Sequence, residues 1–549
     1  MSEQTNRSIL SSSAVMASGT IVSRLSGYVR SILLAAALGN LLHADIFTIA
    51  NTIPNMLYIL LAGGIFNAVL VPQLIRSMRN DEDRGEAYTN RVVTLAGLFL
   101  GLVTAALIVA APYVMSIFLS KSWDDPTLAA ERDSLIDFAR LCLPQVFFYG
   151  MFVLVGQILN SRGRFGPMTW APIANNVVSM VVLVVYIGVF GTHSTGPFSP
   201  GEELLLGLGS TAGIALQFLI LIPYVRSAGY HYRPRFDFRG TGLGHTLKLG
   251  IWTVLFVIVN QVAYTVVVRL ASSGTADAGD GTGYTIYSSA FLLVMAPHAI
   301  ITVSLATAVL PRLSASAAEG RLHDLAGSLA STLRLALALI VPFALLLPVV
   351  ATELSDVIWG YGAAEATSEN YAPTLALFAP GVLFFTVHYL MLRGFYALER
   401  TRTVFWVQCL IAAVNILLAL ALVGRTDAAF TSPALVLSYA GAYGVGAVAS
   451  YSLLRHLLGG LRTPTLLRFL VRMLLSAGPA ALVAWVAAWG LHEALGDNLH
   501  SKAGSLLFLL VVGVVDGVVY LLLARLLRVR EVTEVVETVT RRLRLSGRV

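Results

Sequence analysis

The chain has 549 residues, of which 56% are hydrophobic and 12% are charged, and its formal net charge is +7. Soluble globular domains average about 25% charged residues, so this composition, with a mean hydropathy of +0.76, excludes an ordinary soluble protein and indicates an integral membrane protein. The two cysteines, Cys142 and Cys409, each lie in an apolar run, which excludes a disulfide framework.

The N-terminal residues MSEQTNRSILSSSAVMASG lack the basic start, compact apolar core and small-residue cleavage site of a secretory signal. We therefore expect the first hydrophobic segment to stay as a transmembrane helix. A membrane-spanning helix needs about 20 mostly apolar residues, and this template predicts an all-α polytopic membrane protein with fourteen transmembrane helices. The predicted segments are 8–39, 44–76, 91–119, 134–161, 167–190, 203–226, 245–271, 284–309, 326–350, 370–395, 403–423, 431–456, 466–490 and 503–527.

Basic residues are distributed unevenly between the predicted loops. Cytoplasmic loops carry an excess of Lys and Arg, and with the N-terminus inside, most of the 37 basic residues become cytoplasmic. The predicted outer loops hold only Lys121, Arg132, Arg425 and Lys502. Both termini are therefore predicted to be cytoplasmic. The basic tail after Arg525 is predicted to contact membrane lipids rather than nucleic acid.

The two halves of the chain share a pattern that suggests an internal repeat. One spacing separates three pairs of residues: Pro72 from Pro311, Arg30 from Arg269, and Asn176 from Asn415. This pattern predicts two six-helix lobes in parallel repeat, followed by a helix pair and a tail. The predicted boundaries are 1–228, 240–458, 459–527 and 528–549.

Four arginines fall inside predicted membrane segments: Arg24, Arg30, Arg140 and Arg269. A charge at the bilayer centre costs about 2.5–3.5 kcal/mol on insertion scales, so such arginines usually face a partner or a wet cavity. Guanidinium groups bind phosphate oxygens through paired donors, which predicts a phosphate or pyrophosphate ligand. Asp137 offers Arg140 a partner one turn away, which favours a structural role there. For Arg269, snorkelling to the interface is about as well supported as a place in the cavity.

Two acidic residues stand out in the predicted segments. Asp45 opens the second helix, where it can cap that helix or take part in transport. Asp516 is alone in the last helix, where it can bind a proton or an ion, or can hydrogen-bond a neighbouring helix.

Other residues suggest bends and polar contacts within the membrane. Pro54, Gly63 and Gly64 interrupt the second helix and are predicted to form a hinge. The amides Asn260, Gln261 and Asn415 are expected to hydrogen-bond neighbouring helices or to line a polar cavity.

No catalytic or metal-binding pattern occurs in the sequence. None of the three lysines, Lys121, Lys248 and Lys502, lies in a Walker A loop, and HExxH, GxSxG and clustered Cys/His patterns are absent. We therefore expect neither an enzyme nor a bound metal or cofactor, but a secondary transporter coupled to the membrane potential or to a sodium or proton gradient.

Residues 23–74 carry an ordered set of motifs: R-x-x-G-Y-x-R at residues 24–30, D-x-F at 45–47, I-P-N at 53–55 and V-P-x-L at 71–74. In this set the chain resembles the MurJ (MviN) lipid II flippases of the multidrug/oligosaccharidyl-lipid/polysaccharide exporter superfamily. Weaker likeness continues through LNSRGRFGP, NQVAYTVVVRLASSG and ATAVLPRLS, over about the first twelve helices.

The resemblance implies export of lipid II, an undecaprenyl-pyrophosphate-linked precursor, across a bacterial plasma membrane by alternating access. It also implies that Arg24, Arg30 and Arg269 bind the pyrophosphate and that Asp45 contributes to the site. The C-terminal helix pair would hold the prenyl tail, and partners in cell-wall synthesis or division are expected.

The chain departs from the family pattern at several positions. Ser31 stands where the family often has Asp, and Gly63 stands where it usually has Glu. Of the positions that some members use for sodium, only Asn415 is represented, so the resemblance does not support sodium coupling. Two alternatives therefore stay open, an exporter of another prenyl-pyrophosphate-linked glycan and a non-transporting membrane scaffold for cell-wall assembly.

Overall fold

The computed structural model of the chain describes residues 3–61, 83, 85–192, 195–237, 243–496, 501–534 and 536–537, with backbone alone for 3–17, 243–250 and 495. Over these residues the chain is helical, and no strand occurs among them. The main α-helices run over Glu3–Leu38, Leu42–Ala50, Thr52–Ile59, Glu86–Val109, Ala111–Phe118, Ala129–Cys142, Gln145–Ser161, Gly166–Phe190, Pro200–Leu219, Leu221–Ser227, Leu243–Asp277, Tyr284–Pro297, Val303–Ala318, Leu322–Trp359, Tyr371–Ala397, Thr401–Val423, Thr431–Leu457, Thr463–Leu495 and Lys502–Leu526.

Thirteen helical stretches of the described residues are long and apolar enough to cross a membrane. They correspond to every predicted segment except the second, 44–76, much of which lies outside the described residues. Because these helices also leave many large apolar side chains exposed, such as Leu102 and Val109, their outer surfaces suit a lipid environment. The prediction of an all-α polytopic membrane protein is therefore confirmed.

The helices form two compact units, Met1–Thr285 with Tyr361–Glu365, and Ile286–Gly360 with Ala366–Val549. These units divide the chain differently from the predicted lobes, because the helix Leu243–Asp277 falls in the first unit. The six-helix lobes, which describe a repeat of sequence and topology, stay a prediction.

In the first unit, the helices Glu86–Val109 and Gln145–Ser161 share a buried apolar cluster. Gly150 allows their close approach, since a Cβ at this position would come within 2.7 Å of the Leu100 Cδ2 atom. In the second unit, the long helix Leu322–Trp359 packs against Tyr371–Ala397 and against both helices of the C-terminal pair. It is the central helix of that unit.

The segment that follows Ser227 lies along the helix Glu86–Val109. The Asn90 Oδ1 atom accepts hydrogen bonds from the Tyr230 hydroxyl at 2.8 Å and from the Arg233 backbone N–H at 3.1 Å. Asp237 accepts a hydrogen bond from Arg91 Nε at 2.9 Å. The residues predicted to link the two lobes are therefore fastened to the first unit up to Asp237.

Candidate functional site

The first helix, Glu3–Leu38, carries Arg24 and Arg30 and packs against the helix Gly166–Phe190. Asn176 fixes the contact between them, since its Nδ2 atom donates to the Ser23 carbonyl at 3.0 Å and to the Ser26 Oγ atom at 2.8 Å. Side chains four residues apart lie on the same side of a helix, so Arg30 follows Ser26 on this packing side. Asn176 therefore holds the arginine-bearing helix in a defined orientation.

The two arginines occupy different environments. Arg24 is exposed and interacts electrostatically with Tyr28, whereas Arg30 is half-buried and interacts electrostatically with Tyr149. Neither guanidinium group forms a hydrogen bond or an ion pair with the part of the chain that the structure describes. Both groups therefore keep their donors available for a ligand.

Arg269 lies on the helix Leu243–Asp277 and contacts the end of another helix. Its Nη1 atom donates to the backbone carbonyls of Ser116 at 2.7 Å and Ile117 at 3.1 Å, near the end of the helix Ala111–Phe118. A cation is favoured at a helix C-terminus, where carbonyl groups lack helical partners. No direct contact in the described residues joins Arg269 to Arg24 or Arg30, and the arginine triad stays a prediction.

Asp45 is fully buried and lies at the centre of a network of hydrogen bonds. Its Oδ2 atom accepts from the Thr275 hydroxyl at 2.7 Å and from the Tyr284 backbone N–H at 3.1 Å. Its Oδ1 atom accepts from the Thr285 backbone N–H at 2.7 Å. Because helix N-termini have unpaired N–H groups, Asp45 caps the helix that begins at Tyr284, a helix other than its own.

Gly283 gives this network the room that it needs. A Cβ atom at Gly283 would overlap the Asp45 Oδ2 atom and would come within 2.7 Å of the Thr275 Cγ2 atom. Only glycine therefore allows the carboxylate to lie this close to the backbone before Tyr284.

A second network holds the start of the helix Leu42–Ala50. The His43 ring stacks on Phe198 with centroids 3.5 Å apart, and His43 Nδ1 lies 3.0 Å from the Gly196 carbonyl. The Tyr186 hydroxyl lies 3.4 Å from His43 Nε2 and donates to Glu202 at 2.8 Å. These contacts join the start of the helix that carries Asp45 to residues of the helices Gly166–Phe190 and Pro200–Leu219 and to the loop between them.

The second predicted segment, 44–76, is interrupted close to Pro54. The helices Leu42–Ala50 and Thr52–Ile59 meet at Asn51, and Pro54 has no N–H to donate to the carbonyl of Ala50. Gln261 Nε2 donates to the Met56 carbonyl at 2.9 Å, just beyond this break. Gly63 and Gly64, the other predicted hinge residues, lie outside the described residues, so the hinge itself stays a prediction.

The remaining polar residues of the prediction have contacts or environments of their own. Asn415 Oδ1 accepts from the Ser438 hydroxyl at 3.0 Å, which joins two neighbouring helices of the second unit. Asn260 is half-buried, and Asp516 is buried in the last long helix. Arg140 pairs with Asp137 at 2.8 Å, which confirms the partner predicted for it.

Sequence reasoning missed three residues that shape this region, Asn176 as a support for the first helix and Thr275 and Thr285 as partners of Asp45. The sequence distinguishes Asn176 only through its spacing from Asn415. Nothing near Thr275 or Thr285 in the sequence points to Asp45, since the partners lie 230 and 240 residues away.

Comparison with known proteins gives consistent matches. The family model described as lipid II flippase MurJ matches residues 34–511. A probable lipid II flippase MurJ of Haemophilus influenzae is 27% identical over 403 residues, which cover 70% of this chain and 75% of that protein.

Two solved structures share the fold. Lipid II flippase MurJ in an inward closed conformation superimposes with a TM-score of 0.72 over 93% of this chain and 98% of that chain, at 16% identity. An inward-facing multidrug resistance transporter of the MATE family, in the MOP superfamily, superimposes with a TM-score of 0.64 over 82% of this chain and 99% of that chain, at 12% identity.

Proposed function

The chain belongs to the lipid II flippase MurJ family, whose model matches it over residues 34–511, and we propose that it moves lipid II from the inner to the outer leaflet of a bacterial plasma membrane by alternating access. It is a multi-pass membrane protein, and its family is one of transporters rather than of enzymes. In this proposal both termini are cytoplasmic, as the distribution of basic residues predicts.

One observation carries the proposal. Arg24 and Arg30 lie on one membrane helix, and neither guanidinium group has a hydrogen-bond or ion-pair partner among the described residues. Charged side chains within membrane helices are expensive and are retained where they bind a partner or line a wet pathway. Two guanidinium groups without protein partners suit a pyrophosphate, which accepts several charge-assisted hydrogen bonds at once.

In this proposal Arg269 supports the site and does not touch the ligand. Its Nη1 atom donates hydrogen bonds to the carbonyls of Ser116 and Ile117. Arg24 forms no such bond with the described residues. Arg24 and Arg30 are thus the residues expected to bind the pyrophosphate of lipid II.

Asp45 has a separate role in the proposal. With both termini cytoplasmic, the Asp45 network lies toward the outer side of the membrane, where release of the cargo requires an opening. Its three hydrogen bonds hold the helix Leu42–Ala50 against the start of the helix at Tyr284. Breaking them would be one step toward an outward-open state, and coupling to the membrane potential or to an ion gradient would supply the free energy for the cycle.

Depletion of the protein from its own cells tests the cargo. Accessibility of lipid II in the outer leaflet is measured with a membrane-impermeant probe, in parallel with accessibility of any other prenyl-pyrophosphate-linked glycan. We expect outer-leaflet lipid II to fall as the protein is depleted and to recover when the wild-type chain is supplied again. If another glycan disappeared from the outer leaflet while lipid II there stayed unchanged, that glycan would be the cargo. No change in either lipid would favour a non-transporting scaffold.

A further inference from the structure

The last long helix, Lys502–Leu526, buries a single stripe of side chains: Ser505, Phe508, Val512, Asp516, Tyr520 and Ala524. Residues at this spacing share one side of a helix, so Asp516 faces the protein and not the lipid. The side chain is 4% exposed, and its Oδ1 atom has no hydrogen-bond partner among the described residues. A carboxyl group is thus enclosed in an otherwise apolar stripe, together with Ser505 near one end and Tyr520 one turn away.

Two contacts define what lies opposite Asp516. The Tyr520 hydroxyl donates to the Ala338 carbonyl at 2.6 Å, and the Lys502 ammonium group pairs with the Asp356 carboxylate. These contacts set the antiparallel register of Lys502–Leu526 against Leu322–Trp359, and in that register Asp516 lies at the level of Pro342. Pro342 cannot donate to the Ala338 carbonyl, and Tyr520 supplies the missing donor.

The neighbouring helices provide no countercharge at this level. No ionisable side chain occurs in residues 335–350 of the helix Leu322–Trp359 or in residues 474–488 of the helix Thr463–Leu495. On its own helix, the ionisable residue nearest to Asp516 in sequence is Tyr520. Arg472, on the helix Thr463–Leu495, is exposed.

Among the described residues, charged pairs lie at the ends of this interface. Arg334 pairs with Glu531 at 2.6 Å at one end, and at the other end His492 lies 3.0 Å from Glu353, near the Lys502–Asp356 pair. An ionised Asp516 would therefore be a buried charge without a partner, which is far more costly than a neutral carboxyl group.

We propose that Asp516 is a proton-binding site between the C-terminal helix pair and the helix Leu322–Trp359, and that it holds its proton at neutral pH in this conformation. The protonated carboxyl group is neutral and carries an O–H donor. Release of the proton creates an unpaired charge within the apolar interface, so proton release is linked to separation of the helices. This inference concerns the helix pair and does not depend on the identity of the transported lipid.

A hydrophobic carbodiimide tests the protonation state. The carboxyl O–H adds across one C=N bond of the reagent, the proton moves to nitrogen, and the acyl group then shifts from oxygen to nitrogen to give a stable N-acylurea. In full-length protein in lipid vesicles at neutral pH, peptide mass mapping should find the adduct on Asp516, and the adduct should decrease as the pH is raised. Asp356 is the matched control, because its carboxylate pairs with Lys502 and should stay unmodified.

Infrared spectroscopy gives a second measurement that does not depend on access of the reagent. The difference spectrum between the wild-type protein and Asp516→Asn should contain the carbonyl band of a protonated carboxylic acid at neutral pH. The thermal midpoint of the wild-type protein should also fall relative to that of Asp516→Asn as the pH is raised, because the unfolded chain releases this proton into water, whereas its release in the folded protein leaves an unpaired charge in an apolar interface. A carboxylate band at neutral pH, with parallel pH dependence of the two midpoints, would overturn the proposal.

Discussion

The Asp45 carboxylate accepts a hydrogen bond from the backbone N–H of Thr285 at 2.7 Å, although the two residues are 240 positions apart in the chain. Together with the bonds from Thr275 and Tyr284, this contact makes Asp45 a cap for a distant helix. From the sequence alone, the position of Asp45 in the first turn of the helix Leu42–Ala50 suggests a cap for its own helix.

Asp45→Asn should destabilise the protein by about 1–3 kcal/mol, because an amide has one acceptor oxygen in place of two and leaves buried donors unpaired. The measurement is thermal unfolding of the purified protein in detergent. Asp137→Asn is the control, since its exposed pair with Arg140 should contribute no more than about 0.5 kcal/mol. Equal effects of the two substitutions would show that the Asp45 network is not structural.

Gly283→Ala should reproduce the effect of Asp45→Asn, because the added methyl group occupies the place of the carboxylate. Variants that disrupt one network are not additive, so the double variant should be little less stable than either single variant. Full additivity would mean that the two residues act separately.

Arg269→Ala should lower stability by about 1–2 kcal/mol through loss of its bonds to the end of the helix Ala111–Phe118. Arg24→Ala should leave the unfolding midpoint nearly unchanged, because Arg24 is exposed and has no hydrogen bond among the described residues. The same thermal unfolding assay compares them. If Arg269→Ala kept full stability and abolished transport as strongly as Arg24→Ala, Arg269 would belong to the binding site.

Arg334 and Glu531 join the segment after the last long helix to the central helix of the second unit, with side chains that are 15% and 19% exposed. Reversal of either charge alone, Arg334→Glu or Glu531→Arg, should destabilise the protein, and the double reversal should recover part of the loss. Coupling energies for such contacts are about 0.5–3 kcal/mol. A double variant as unstable as the sum of the single variants would show that the pair contributes nothing.

The hydrogen bond from Arg91 holds the pKa of Asp237 below its usual value. A carboxyl group of this kind contributes stability above its unfolded pKa of about 3.9, and the contribution is lost as the pH falls through the folded pKa. Asp237→Asn should therefore lower the unfolding midpoint slightly at neutral pH, and the difference from the wild-type protein should vanish in acid. A difference that persists in acid would point to a role other than the ion pair.

The membrane helices could be predicted because each depends on a local run of apolar residues. Their breaks were harder to predict. Residues 91–119 read as one segment, yet helices end at Val109 and begin again at Ala111, with Pro112 in the first turn of the second. Arg269 contacts the other end of this second helix, at the carbonyls of Ser116 and Ile117, and the apolar pattern does not say which distant residue lies there.

Contacts between distant helices were beyond sequence reasoning for a physical reason. The spacing of charges along one helix gives their separation on that helix but not which neighbouring helix they face. Arg24 and Arg30 were correctly placed on one membrane helix, whereas the bonds of Asn176, Asp45 and Arg269 depend on how helices pack. The predicted lobes and the gradient that drives transport stay predictions.

The central claim is that Arg24 and Arg30 carry the pyrophosphate of lipid II, and replacement of the wild-type protein by Arg24→Ala/Arg30→Ala tests it most directly. At equal membrane abundance, with Arg140→Ala as the control for loss of a membrane arginine, outer-leaflet lipid II is measured with an impermeant probe. We predict that the double variant leaves lipid II inaccessible from outside while the control behaves like the wild-type protein. Normal outer-leaflet lipid II in cells that depend on the double variant would contradict the claim.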